Sequence, residues 1–133
     1  MSTAQQVLVA YGVLIIGYGF ILGIPLARER AVAAEASAHL VGRHVASIMQ
    51  GPVCLGLAYA FGVTGFESGL ATAAAVLVVA GAAVETVGGT VNWLTRTGDQ
   101  FAERSLGYRF SAASGPVAVI GIVVATAGVL VGM

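Results

Sequence analysis

The chain has 133 residues, of which 58% are apolar and only 9% are charged. An ordinary soluble domain carries about 25% charged residues, which help to cover its surface. This chain cannot cover itself in that way, and its mean hydropathy is +0.94. Composition therefore predicts an integral membrane protein and excludes a disordered chain, a coiled coil and a nucleic-acid-binding domain. The six basic and six acidic residues balance, so no polyanionic partner is expected.

Four apolar runs are long enough to cross a bilayer, which takes about 20 residues as a helix. They cover residues 7–27, 44–66, 70–94 and 112–133. The runs are continuous rather than alternating, which favours helices over the strands of a barrel. The sequence predicts an all-α fold, in which residues 1–133 form one transmembrane domain, a four-helix bundle.

The polar links between these runs carry all the basic residues. Residues 28–43 and 95–111 are polar, whereas the second and third runs are joined by a few residues around 65–69 and should form an antiparallel hairpin. The positive-inside rule places the two polar links in the cytoplasm and both termini outside. The arginines that define this asymmetry are Arg28, Arg30, Arg43, Arg96, Arg104 and Arg109.

Small residues are spaced for close helix packing. Gly19 and Gly23 in the first run, and Gly128 and Gly132 in the fourth, are each four residues apart. Such pairs let helices approach closely in lipid. Four short spans also enclose little volume, so we expect a homo-oligomer with sites between its subunits.

Polar side chains within the spans are the candidate functional residues, because each costs several kcal/mol in lipid unless it is satisfied. His44 opens the second span, and it is either an interfacial side chain half in water or the ligand of a heme iron. The end of the third span lies at the same membrane level as His44, and a glutamine of the second span lies somewhat deeper. These side chains are expected to converge on one cytoplasmic-side site: His44, Gln50, Asn92 and Arg96.

Glu85 is the deepest charged residue of the chain. It is either a protonated carboxyl bonded to a neighbouring helix or, as is usual for an intramembrane acid, a functional group that carries protons or acts as an acid/base catalyst. Asn92 lies seven residues further along the same helix face. Its amide either joins two helices or orients a substrate. Trp93 is most simply an interface anchor, and Cys54 is a packing residue.

Two segments resemble a known family. At the head of the second span stands HVASIMQG, residues 44–51, and near the end of the third stands GGTVNW, residues 88–93. Bacterial styrene oxide isomerases and hydroxylaminobenzene mutases are similar small four-span proteins. At the head of the second span they carry a His, an Asn six positions later and then a Gly. Near the end of the third span they carry an Asn. In the mutases a Trp often follows that Asn, as Trp93 follows Asn92 here.

The resemblance implies a homotrimer in the bacterial inner membrane, with ferric heme b bound through His44. The open face of the iron would act as a Lewis acid on the oxygen of a small apolar aromatic substrate. Gln50 takes the place of the family's substrate-positioning Asn, and Asn92 would stand beside the substrate. Arg96 occupies a position where the isomerases have a Tyr near the substrate. Heme carboxylates would bind Arg43 or Arg96.

The implied reaction is an intramolecular rearrangement. An aromatic epoxide would become an aldehyde, or an aryl hydroxylamine an aminophenol, and both reactions need an electrophile on oxygen and a dry pocket. The sequence does not choose between them. An alternative is a small proton-coupled transporter using Glu85, although small exporters of this size usually carry their acid in the first span. A third is an accessory subunit or membrane scaffold.

Overall fold

The computed structural model describes all 133 residues, and they form four helices. These are α1 (Thr3–Val32), α2 (Ala38–Thr64), α3 (Gly69–Leu94) and α4 (Leu106–Gly132). Each is long and apolar enough to cross a membrane. The all-helical, multi-pass architecture expected from composition is therefore confirmed.

The helices extend beyond the apolar runs at the polar end of the molecule. The connection between α1 and α2 is residues 33–37 rather than 28–43, and α4 begins at Leu106 rather than at residue 112. Ala, Arg and Glu in these stretches favour helix as strongly as apolar residues do. Caps set the ends instead: the Ser105 hydroxyl accepts the Tyr108 backbone N–H, and Gly65 ends α2 at a φ of 69°.

The helices pack as two close pairs, α1 with α2 and α3 with α4. Helix α3 also contacts both α1 and α2, whereas α4 touches α2 only slightly and does not contact α1. Helix α3 is therefore central, and α4 lies on its outer side. The core is built mostly from small side chains around Leu8, Phe61 and Val78.

The glycine pairs identified in the sequence pack within the chain. A Cβ on Gly19 would lie 2.9 Å from the Ile48 side chain of α2. At the other end of the molecule, Gly128 packs against the Phe66 ring and Gly132 against Thr64. These small residues thus bring neighbouring helices of one chain together.

The two polar connections lie at the same end of the molecule. The Glu29 carboxylate, in the last turns of α1, accepts the Ser37 backbone N–H at 2.8 Å and the Trp93 indole N–H at 3.0 Å. Trp93 therefore joins α3 to α1 as well as marking the end of the third span. All six arginines belong to this end, as the sequence indicated.

Candidate functional site

His44 is held against α1 by a backbone carbonyl. Its Nδ1 lies 2.8 Å from the Gly19 carbonyl oxygen, and Gly23 packs beside the ring. A carbonyl can only accept, so Nδ1 carries the hydrogen and donates it. Nε2 makes no hydrogen bond within the chain. A ring anchored through its Nδ1–H, with Nε2 unoccupied, is the arrangement in which histidine commonly binds a metal.

A cavity of about 370 Å³ lies between α2, α3 and α4. Of the three helices that line it, α2 and α4 have the least contact with each other. Its size suits a small aromatic molecule. Three polar side chains, Gln50, Glu85 and Ser114, reach it. The rest of the wall is mostly apolar and includes Met49, Val53, Val78, Ala82, Ala118 and Ile122.

Glu85 is the charged residue of this cavity. The Ser114 hydroxyl lies 3.2 Å from its Oε2 and the Arg43 Nη1 lies 3.9 Å from its Oε1. The Arg43 stem crosses α3 at Gly89, where a Cβ would lie 2.6 Å from the Arg43 Cδ. Arg43 is consequently buried, with 7% of its surface exposed.

Gln50 reaches the cavity from α2. Its Oε1 lies 3.5 Å from the Thr86 hydroxyl, a long contact, because Thr86 also donates to the Ala82 carbonyl at 2.8 Å. The Gln50 amide nitrogen makes no hydrogen bond within the chain. This side chain is therefore able to turn toward a molecule in the cavity.

Asn92 is completely buried in the connection between α3 and α4. Its Nδ2 donates to the Gln100 Oε1 at 2.7 Å, and its Oδ1 accepts from the Ser105 hydroxyl at 2.7 Å. Gly107 packs directly against the amide. Both ends of the Asn92 amide are thus occupied by the chain itself, and Asn92 does not line the cavity.

Arg96 lies just after the end of α3. It is exposed, has a φ of 53°, and lines a polar surface groove with Glu29, Ser37 and Trp93. The structure therefore does not bring the four predicted site residues to one cavity. Gln50 lines the cavity, His44 faces α1, Asn92 holds a connection and Arg96 lies at the surface.

On the helices around Arg43, three polar side-chain atoms are buried without a hydrogen-bond partner. They are the Tyr11 hydroxyl, the Arg43 Nη1 and the Ser47 hydroxyl. Ser47 follows Arg43 by one helical turn, so sequence spacing could have placed it on the same helix face. The contact between Ser114 and Glu85 could not be predicted from the sequence, because it depends on how α4 packs on α3.

No three His, Cys, Asp or Glu side chains lie together as a metal-binding group. Comparison with known proteins adds no relative. No protein-family model, curated protein or solved structure matches this chain.

Proposed function

We propose that this multi-pass membrane protein is an isomerase that holds a ferric heme b through His44. Its substrate would be a small apolar aromatic epoxide or an aryl hydroxylamine, rearranged to an aldehyde or an aminophenol. The observation that carries the proposal is the Nδ1 hydrogen bond of His44 to Gly19, which leaves Nε2 free to bind iron. The motif around His44 and Asn92 supports it independently.

The residues present fit the group. One histidine is sufficient to hold a heme iron, and His44 would be the residue that binds it. Of the two arginines expected to bind the heme carboxylates, Arg43 is buried beside Glu85, whereas Arg96 is exposed and free to do so. A ferric heme bound at His44 would supply the Lewis acid for the substrate oxygen. By resemblance the assembly would be a homotrimer in a bacterial inner membrane.

The side chains of this chain would orient the ligands and exclude water. The Gly19 carbonyl fixes the plane of the His44 ring and increases its basicity as a ligand. In the homo-oligomer, apolar side chains around the heme would keep water from a reactive cationic substrate. By resemblance, Gln50 would donate its amide N–H to the substrate oxygen, and Arg96 would bind a heme carboxylate. Asn92 would act as a positioning residue, through the α3–α4 connection that it holds.

Conversion of two probe substrates by membranes that contain the protein tests this proposal. Bacterial membranes containing the full chain, produced with heme supply, are incubated with styrene oxide or with phenylhydroxylamine, and the products are separated by chromatography. We expect one probe to be converted by the wild type and by His39→Ala, and conversion to fall to background in His44→Ala. Conversion of neither probe, or undiminished conversion by His44→Ala, would contradict the proposal.

A second candidate is proton-coupled transport through Glu85. The specific observation in its favour is that the Glu85 side chain is 37% exposed and lines the cavity, with a cationic partner 3.9 Å away. Loss of substrate-driven proton flux in liposomes on Glu85→Gln, with no turnover of either probe, would support it over the isomerase.

A further inference from the structure

We propose that the polar surface groove at the ends of α1 and α3 binds the headgroup of phosphatidylethanolamine, with its phosphate at Arg96 and its ammonium group at Glu29. The groove has a volume of about 580 Å³. One anionic and one cationic side chain line it, Glu29 and Arg96, and they do not form an ion pair with each other. Opposite charges that line one groove without meeting favour a ligand that carries both charges.

The cationic side of the groove suits a phosphate group. Arg96 is exposed and forms no ion pair within the chain, and a guanidinium binds phosphate through parallel N–H bonds. The Ser37 hydroxyl also lines the groove and does not cap its own helix, so it is able to donate to a phosphate oxygen. The guanidinium has enough N–H donors for a heme carboxylate as well, and the inference does not rest on the heme.

Glu29 provides the acceptor for an ammonium group. Its carboxylate is held in place by the Ser37 backbone N–H at 2.8 Å and by the Trp93 indole N–H at 3.0 Å. A carboxylate has about four acceptor positions, so it is able to accept further N–H donors. A primary ammonium group supplies them, whereas the quaternary group of phosphatidylcholine has no N–H. Phosphatidylglycerol would bring a negative charge beside Glu29 with no cation to balance it.

The position of the groove indicates a lipid rather than a soluble ligand. Glu29 follows shortly after the apolar run 7–27, and Trp93 and Leu94 end the run 70–94. The groove therefore lies where the apolar segments leave the bilayer, at the level of the lipid headgroups. Leu94 lines the groove and is 67% exposed, so it offers an apolar contact below the headgroup.

A second groove, between α1 and α3, gives the acyl chains a place to lie. It has a volume of about 250 Å³ and is lined by Tyr18, Val87, Val91 and two threonines. The hydroxyl groups of these residues are already hydrogen-bonded within the chain, which leaves an apolar surface. Val87, Val91 and Leu94 are four and three residues apart, so they lie on one face of α3. An acyl chain would follow this face away from the headgroup.

Three phospholipids with identical acyl chains test the inference. The purified, delipidated full chain in detergent is titrated with phosphatidylethanolamine, phosphatidylcholine or phosphatidylglycerol, and binding of the first lipid is measured by native mass spectrometry. Because a partly exposed ion pair is at stake, we expect phosphatidylethanolamine to bind the wild type ~5-fold more tightly than the other two. In Glu29→Gln this preference for phosphatidylethanolamine over phosphatidylcholine should be lost.

Two arginine variants form a matched pair. Arg96→Gln should weaken the binding of all three lipids ~5-fold, because each carries a phosphate. Arg30→Gln removes the same charge from the same end of the molecule, but Arg30 does not line the groove, so binding should be unchanged. If Glu29→Gln does not fold, this pair still decides.

Four results would overturn the inference. They are equal affinity of the three lipids for the wild type, a preference that survives in a folded Glu29→Gln, equal losses in Arg96→Gln and Arg30→Gln, and displacement of the bound lipid by an equal concentration of water-soluble phosphoethanolamine. The last result would show that the groove takes a soluble ligand instead.

Discussion

The orientation of His44 depends on its hydrogen bond to the neighbouring helix α1. Gly19 provides the carbonyl that accepts the Nδ1 hydrogen, and a Cβ on Gly23 would lie 3.6 Å from the ring, in ordinary contact. A larger side chain at Gly19 would meet Ile48 and push α1 away from α2. A single backbone contact thus decides which nitrogen of His44 is free to bind a metal.

A stability measurement can distinguish a structural role of Asn92 from direct contact with a substrate. In Asn92→Ala, the Ser105 hydroxyl and the Gln100 amide lose their buried partner. We expect the free energy of unfolding to fall by about 1–3 kcal/mol. Denaturant unfolding in detergent, followed by circular dichroism, measures it.

Thr95→Ala is the control for this experiment, because Thr95 is exposed and bonds mainly to its own helix. It should leave stability nearly unchanged. An Asn92→Ala protein as stable as the wild type but inactive would point instead to direct contact between Asn92 and the substrate.

Sequence spacing predicted part of this residue-level arrangement. Glu85 and Asn92 are seven apart and were expected on one face of α3, and both contact residues at or near α4, namely Ser114 and Ser105. What the Asn92 amide binds could not be predicted. It depends on how residues 95–105 fold back over the end of α3, and no periodicity encodes that.

At the scale of the helices, close approach depends on glycines that face a neighbouring backbone. A Cβ on Gly121 of α4 would lie 2.7 Å from the Val78 backbone nitrogen of α3. Backbone atoms cannot move aside as a flexible side chain can. We expect Gly121→Ala to lower the free energy of unfolding by about 1–3 kcal/mol, measured as for Asn92.

Gly56→Ala serves as the matched control, since a Cβ at Gly56 meets nothing within 4 Å. It should be neutral or stabilise the protein by up to about 1 kcal/mol, because alanine is the better helix former. Equal effects of the two substitutions would show that α3 and α4 do not approach each other closely at Gly121.

Helix positions were largely predictable, while helix ends and partners were not. Each apolar run lies mainly within one helix, because burial in lipid demands a continuous apolar segment. The ends differ because polarity marks where a chain leaves the lipid, whereas capping residues such as Ser105 mark where a helix begins. The central position of α3 follows from tertiary packing, which the runs do not specify.

At the scale of the whole molecule, the helices separate two regions of different chemistry. The ligand nitrogen of His44 lies at the α1–α2 pair, and the cavity with Glu85 lies between α2 and the α3–α4 pair. The four polar residues expected to converge on one cytoplasmic-side site lie instead in separate parts of the structure. Helix α4, the least buried of the four, does not contact α1. An isomerase of this design would need the homo-oligomer to complete the surroundings of His44.

Heme binding by His44 is the basis of the proposed function, and an absorption spectrum detects it. The detergent-purified wild type, His44→Ala and His39→Ala are recorded after production with heme supply and again after addition of hemin. We expect a Soret band in the wild type and in His39→Ala, and its loss in His44→Ala. A folded wild type that stays colourless after hemin addition, or a His44→Ala spectrum identical to that of the wild type, would contradict the claim.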